Sequence, residues 1–127
     1  MEQYLIDTNV ISDYFSASLP VRGLQFMDFV IDETPNISVI SQIELLSWKT
    51  DTNIEQQVKD FITDCVIFNI TPHVIAHCVS IRRNKKTKTP DAIIAATSIE
   101  HSYTLITNNE KDFSNITGLK IINPYKI

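Results

Sequence analysis

Apolar positions along the 127-residue chain fall into short runs separated by stretches with helical spacing. Tyr4-Leu5-Ile6 reads as a buried strand, and a short helix follows around Val10–Phe15. Pro20 opens a second helix, in which Val21, Leu24, Met27 and Ile31 recur at helical spacing. Past the Thr34-Pro35-Asn36 break, residues 37–40 (Ile-Ser-Val-Ile) predict a second strand, and Ile43–Trp48 the helix after it. Ile54, Val58, Phe61 and Ile62 form the apolar stripe of an amphipathic helix, and residues 66–70 (Val-Ile-Phe-Asn-Ile) predict a third strand. Pro72 starts a helix that runs to a basic stretch, and Thr89-Pro90 starts the next. Residues 104–107 and 120–122 predict the last strands. This alternation is the pattern of a parallel-sheet α/β fold. It predicts about five parallel strands with helices on both faces, in one domain spanning residues 1–127.

Composition narrows the picture without changing it. The chain is 43% hydrophobic and 20% charged, ordinary values for a globular protein. No apolar run approaches the ~18 residues that span a bilayer, and no basic segment precedes the first apolar stretch as in a signal peptide. A cytoplasmic protein with no membrane partner is expected, with Cys65 and Cys78 as reduced, buried thiols. Two glycines in the whole chain exclude a phosphate-cradling loop.

The net charge of −4 argues against nucleic-acid binding by overall electrostatics. Yet Arg82, Arg83, Lys85, Lys86 and Lys88 lie within seven positions. Such a patch can steer a phosphate backbone even on an acidic body. The plainer reading is a solvated helix end whose cations complement the dipole.

Ligand sites of open parallel sheets lie beyond the carboxyl ends of the strands. Asp7 follows the first predicted strand, Glu44 lies one helical turn past the second, Asp91 opens a helix, and Thr107-Asn108-Asn109 follows the fourth. Each acid also has a structural explanation. Asp7 can cap the helix after it, Ser41-Gln-Ile-Glu44 fits a capping box, and Thr89-Pro90-Asp91 fits N-cap, N1 and N2. Each cap is worth about 1 kcal/mol. Taken jointly the three acids mean more. Glu44 within Ile43-Glu44-Leu45-Leu46, and Asp91 before Ala92-Ile93-Ile94, are expected in apolar surroundings. Carboxylates gathered on a partly buried rim destabilise one another unless a cation binds them. Hard oxygen ligands with open positions suit Mg²⁺ or Mn²⁺.

Four motifs carry a resemblance: LIDTNV (5–10), SQIELL (41–46), KTPDAIIAATS (88–98) and LITNNEKDF (105–113), extended by Asn123-Pro124-Tyr125. In order and spacing they resemble the PIN-domain nucleases, and more narrowly the VapC-type toxins of toxin–antitoxin pairs. The resemblance implies a three-layer α/β/α sandwich, PIN-like and Rossmann-like. It also implies a Mg²⁺- or Mn²⁺-dependent endoribonuclease that leaves 5′-phosphate and 3′-hydroxyl ends. By position, Asp7, Glu44 and Asp91 match its metal-binding acids, Thr8 and Asn9 a pair orienting the first acid, and Thr107 a hydroxyl facing the site. Many relatives carry a fourth acid where this chain has Asn109, and Asp112 stands three residues on as a longer-range substitute. An RNA substrate, a small antitoxin and a homodimer are implied as partners.

Other readings have less in the sequence. His73 and His77, with Cys78 beside them, share a helix face but lack the glutamate and second ligand pair of a zinc site. A phosphoryl-transfer enzyme with Asp7 as nucleophile would want an acid where Asn9 stands. A receiver-type signalling domain would want a lysine near Thr107. Trp48, Phe26 and Phe29 read as core or interface anchors. A catalytically silent PIN-like module that binds RNA or protein has Asn109 as its one support.

Overall fold

The computed structural model describes residues 2–127. In chain order the elements are β1 (Tyr4–Ile6), α1 (Thr8–Phe15), α2 (Val21–Asp32), β2 (Asn36–Ser38), α3 (Val39–Ser47), α4 (Thr52–Asp64), β3 (Val66–Phe68), α5 (Pro72–Asn84), α6 (Thr89–His101), β4 (Thr104–Ile106), α7 (Glu110–Phe113) and β5 (Lys120–Ile122). All strand pairs are parallel, as the alternation predicts. They form two hydrogen-bonded ladders, β1-β4-β5 and β2-β3, rather than one continuous five-stranded sheet. β1 and β2 lie side by side. The gap between them is spanned by a side chain, the buried Asn36, whose amide donates to the Tyr4 carbonyl at 3.0 Å.

Alternation along each three-residue strand builds the layers. Leu5 and Leu105 enter one core with Val74, Cys78 and Ile81 of α5, the alanine-rich face of α6, and Phe113 of α7. Ile6 and Ile106 point the other way, into a core with Val10 and Ile11 of α1, Met27 and Val30 of α2, and Val58, Phe61 and Ile62 of α4. This is the three-layer α/β/α arrangement. Each fully buried aliphatic side chain stabilises it by about 1.5–3 kcal/mol.

Several boundaries differ from expectation for local reasons. β2 ends at Ser38 because the Ser38 hydroxyl accepts from the Ile40 N–H and starts α3 there. Residues 39–40, expected as strand, are therefore helical, and Ser41 is inside α3 rather than at its cap. β3 stops at Phe68 and is half exposed, leaving Asn69 and Ile70 outside it. In α6 the cap position is Lys88, without a side-chain bond, so Thr89, Pro90 and Asp91 stand at N1, N2 and N3. Gly23 of α2 carries the C-terminal segment: a Cβ there would sit 2.2 Å from the Pro124 carbonyl oxygen. No helix among the described residues is long and apolar enough to cross a membrane.

Candidate active site

The strand order reverses between β1 and β4, and ligand sites of open parallel sheets lie outside the carboxyl ends at such a switch point. Asp7 sits there. Its backbone N–H extends the ladder to the Ile106 carbonyl at 2.9 Å, and its side chain caps α1. The carboxylate is almost wholly buried, with only 7% exposed. Oδ1 accepts the Thr8 N–H at 2.8 Å, and Oδ2 accepts the Thr107 hydroxyl at 2.8 Å. Both donors are neutral. Burial pushes the Asp7 carboxyl up to about 6, against the pull of the bonds from Thr107 and Thr8. The two charged groups that act on it, Asp91 and Glu44, are acids and raise it further.

Thr8 ties the second acid to the first. Its hydroxyl lies 2.5 Å from Glu44 Oε1 and 2.9 Å from Ser41 Oγ. A hydroxyl has one proton, and the carboxylate is the stronger acceptor, so Thr8 donates to Glu44 and Ser41 is left to donate back. Glu44 is exposed on α3, contrary to the apolar setting expected for it. Its neighbours in sequence, Ile43 and Leu46, are exposed with it, and only Leu45 turns into the core. Glu44 is thus bound to Thr8 rather than closing a capping box on Ser41. Asn9 is exposed and contributes only its carbonyl, to the Ser12 hydroxyl, so Thr8 alone of that pair holds the first acid.

Asp91 lies half-buried in the first turn of α6, at the positive end of the helix dipole. Desolvation nonetheless raises its carboxyl, and Asp112 and Glu44 raise it further, with only Lys88 pulling the other way. α7, a single turn that the strand pattern did not predict, brings Asp112 to this group. Asn109 caps the turn, accepting the Asp112 N–H at 3.3 Å. The rim therefore gathers Asp7, Glu44, Asp91 and Asp112 from distant segments, with Thr8 and Thr107 between them.

The basic run divides. Lys85 is partly buried and donates to the Asp112 carbonyl at 2.8 Å, and Arg82 donates to the Thr87 carbonyl at 3.2 Å. Arg83, Lys86 and Lys88 are exposed. Ser41 and Asn123 are polar supports that spacing alone left unassigned. Asn123 donates to Glu110 of α7 at 2.6 Å, and Lys126 pairs with the same carboxylate at 2.8 Å. The Tyr125 hydroxyl donates to Asp13 of α1. His77 pairs with Glu100 at 3.1 Å, and His73 is exposed.

Among the described residues, no group of three or more His, Cys, Asp or Glu side chains stands close enough to enclose an ion alone. The donor set still fits a hard divalent cation. Mg²⁺ in particular takes one or two carboxylates and keeps several waters. Among the described residues, buried Asp7 faces further acids and no cationic partner.

The chain is similar to known proteins over nearly its whole length. It superposes on a chain of a toxin–antitoxin complex from Klebsiella pneumoniae with a TM-score of 0.80 and 33% identity, covering 98% of this chain and 100% of that one. A chain of VapBC2 from Rickettsia felis, bound to a promoter DNA fragment, shares the fold with a TM-score of 0.77 at 23% identity, covering 94% and 97%. Ribonuclease VapC1 from Rickettsia felis is 53% identical over 34 residues, 27% of this chain and 25% of that protein. The PIN domain family model matches residues 4–119, and the chain belongs to that family.

Proposed function

We propose that this chain is a divalent-metal-dependent endoribonuclease and the toxin of a toxin–antitoxin pair. The observation that carries the reading is Asp7, a buried carboxylate at the switch point, held by neutral donors and faced by two further acids. Family membership and the similarity to a toxin–antitoxin complex support this choice of reaction class and partner.

Asp7 and Asp91 would hold Mg²⁺ or Mn²⁺, directly or through water, with Glu44 and Asp112 at longer range. When bound, such an ion supplies a Lewis acid for a phosphodiester oxygen and makes a water more acidic. The chain's own groups do the positioning. Thr8 and Thr107 fix both oxygens of Asp7. Thr8 engages one oxygen of Glu44 and leaves the other free to take a proton from an attacking water. Arg83, Lys86 and Lys88 offer charge to the RNA backbone beside Asp91. Exposed Phe29, Ile43, Leu46, Ile75 and Val79 leave apolar surface for an antitoxin or a second copy. The alternative of a silent binding module rested on Asn109, and that residue is occupied in holding a different acid, Asp112.

The test is RNA cleavage by purified wild type, Asp7→Asn and Asp91→Asn in Mn²⁺ or Mg²⁺. Loss of even an outer-shell support costs a metal site about 10- to 100-fold, so each variant should fall by at least that factor. Cleavage at the wild-type rate would refute the assignment.

A further inference from the structure

One connected set of hydrogen bonds runs from the buried acid to α7. The Thr107 hydroxyl donates to Asp7 Oδ2 and accepts the Asn109 backbone N–H at 2.9 Å. The Asn109 side chain then spends both its ends on one residue. Oδ1 accepts the Asp112 N–H, and Nδ2 donates to Asp112 Oδ2 at 2.8 Å. Lys85 Nζ donates to the Asp112 carbonyl at 2.8 Å. The other acid of α7, Glu110, is engaged by Asn123 and Lys126. Only one Asp112 oxygen is taken by the Asn109 amide, and Asp112 lies near enough to Asp91 for its charge to raise that carboxyl.

From this geometry we infer that Asn109 is a positioning residue, whose amide aims the Asp112 carboxylate toward Asp91 so that Asp112 serves as the fourth acid of the site. The inference rests on the metal-site reading above. A cap needs only an acceptor, which Ser, Asp or Asn provides equally. Orienting Asp112 needs a donor as well, and of these three only Asn can cap through one atom and donate through the other. An aspartate at 109 would set two carboxylates against each other where Nδ2 now donates. Asn109 therefore does something the missing acid could not do while Asp112 is present.

Three variants separate the cap from the aim: Asn109→Ser, Asn109→Asp, and the exchange Asn109→Asp/Asp112→Asn. Each is measured for metal-free Tm, for Mn²⁺ affinity by thermal-shift titration, and for RNA cleavage. Asn109→Ser should keep the metal-free Tm and weaken Mn²⁺ about tenfold, as loss of outer-shell support does. Asn109→Asp should weaken it at least as much, and the exchange, which restores the donor–acceptor pair but leaves no carboxylate at 112, should not recover the loss. Wild-type affinity in Asn109→Ser, or tighter binding in Asn109→Asp, would overturn the inference. The contact is checked without metal by the Asn109 side-chain amide resonances. They should move in Asp112→Ala, and amide signals indifferent to that change would overturn the positioning itself. A wild type with responsive amide signals but no Mn²⁺ response would instead overturn the metal-site reading, and with it the part given to Asp112.

Discussion

Replacing Asp7 with asparagine should make the metal-free protein more stable while abolishing its proposed activity. Burial lifts the Asp7 carboxyl from an ordinary 3.8 to about 6. At about 1.4 kcal/mol per pH unit, holding it ionised above that range costs the fold about 3 kcal/mol. The sign follows from the folded value lying above the unfolded one. The penalty is absent below pH 3.8, grows as pH rises, and is complete once pH exceeds about 6. Asparagine avoids it. Its oxygen can still accept the Thr8 N–H, and its amide can donate to the Thr107 oxygen. A chain of this length shifts about 4 °C in Tm per kcal/mol. In EDTA at pH 8, Asp7→Asn should therefore melt about 12 °C above wild type, and the gap should shrink toward pH 4. Saturating Mn²⁺ should reverse the order. At a thousandfold excess over Kd a ligand adds about 4.1 kcal/mol to the protein that binds it, more than the burial penalty, and only wild type has the site. The measurement is differential scanning calorimetry across pH, with and without metal. A variant that melts at or below wild type in EDTA at pH 8, or a gap that ignores pH, would refute the reasoning.

Neutralising Arg83, Lys86 and Lys88 together should lower RNA affinity and flatten its dependence on salt, read by fluorescence anisotropy, and an unchanged slope would remove the run from the RNA path. Lys85→Met should behave differently: losing a bond to the Asp112 carbonyl, it should weaken Mn²⁺ binding more than it alters the salt slope. Gly23→Ala forces a methyl against the Pro124 carbonyl and should cost about 1–3 kcal/mol in denaturant titrations. Asn36→Ala leaves the part-buried Tyr4 carbonyl unpaired between the ladders and should also cost about 1–3 kcal/mol.

The layers were legible because period-2 and period-3.6 patterns report burial directly. Leu5 and Ile6 had to be covered on both sides, and the helices that cover them announced themselves through stripes such as Val58, Phe61 and Ile62. What stayed hidden depends on single polar atoms. Either Ser38 or Ser41 could start α3, and the choice fell to the serine whose hydroxyl meets the Ile40 N–H. At α6 Thr89 was the expected cap, but the helix begins one residue earlier, with Lys88 at the cap position and no side-chain bond there. The acids' gathering at one rim was inferable from strand ends alone, but the exposure of Glu44 was not, because an apolar sequence context does not fix which face of a helix turns inward. α7 escaped notice because four residues are too few to show a period, although Asn109 and Asp112 stand at cap spacing.

The bond between Asp7 and Thr107 joins residues 100 positions apart, and the register of β1 on β4 does the same. Closing a loop of that length costs roughly 4 kcal/mol in chain entropy before any contact compensates it. Local units such as β2-α3-α4-β3 can collapse earlier without creating any part of the site between β1 and β4. The loop-closure cost of pairing β1 with β4 predicts that the acidic rim forms late. A nascent, clipped or partly unfolded chain that lacks either strand has no rim at all. If the rim cuts RNA, the capacity to damage a cell switches on with completion of the fold and not before.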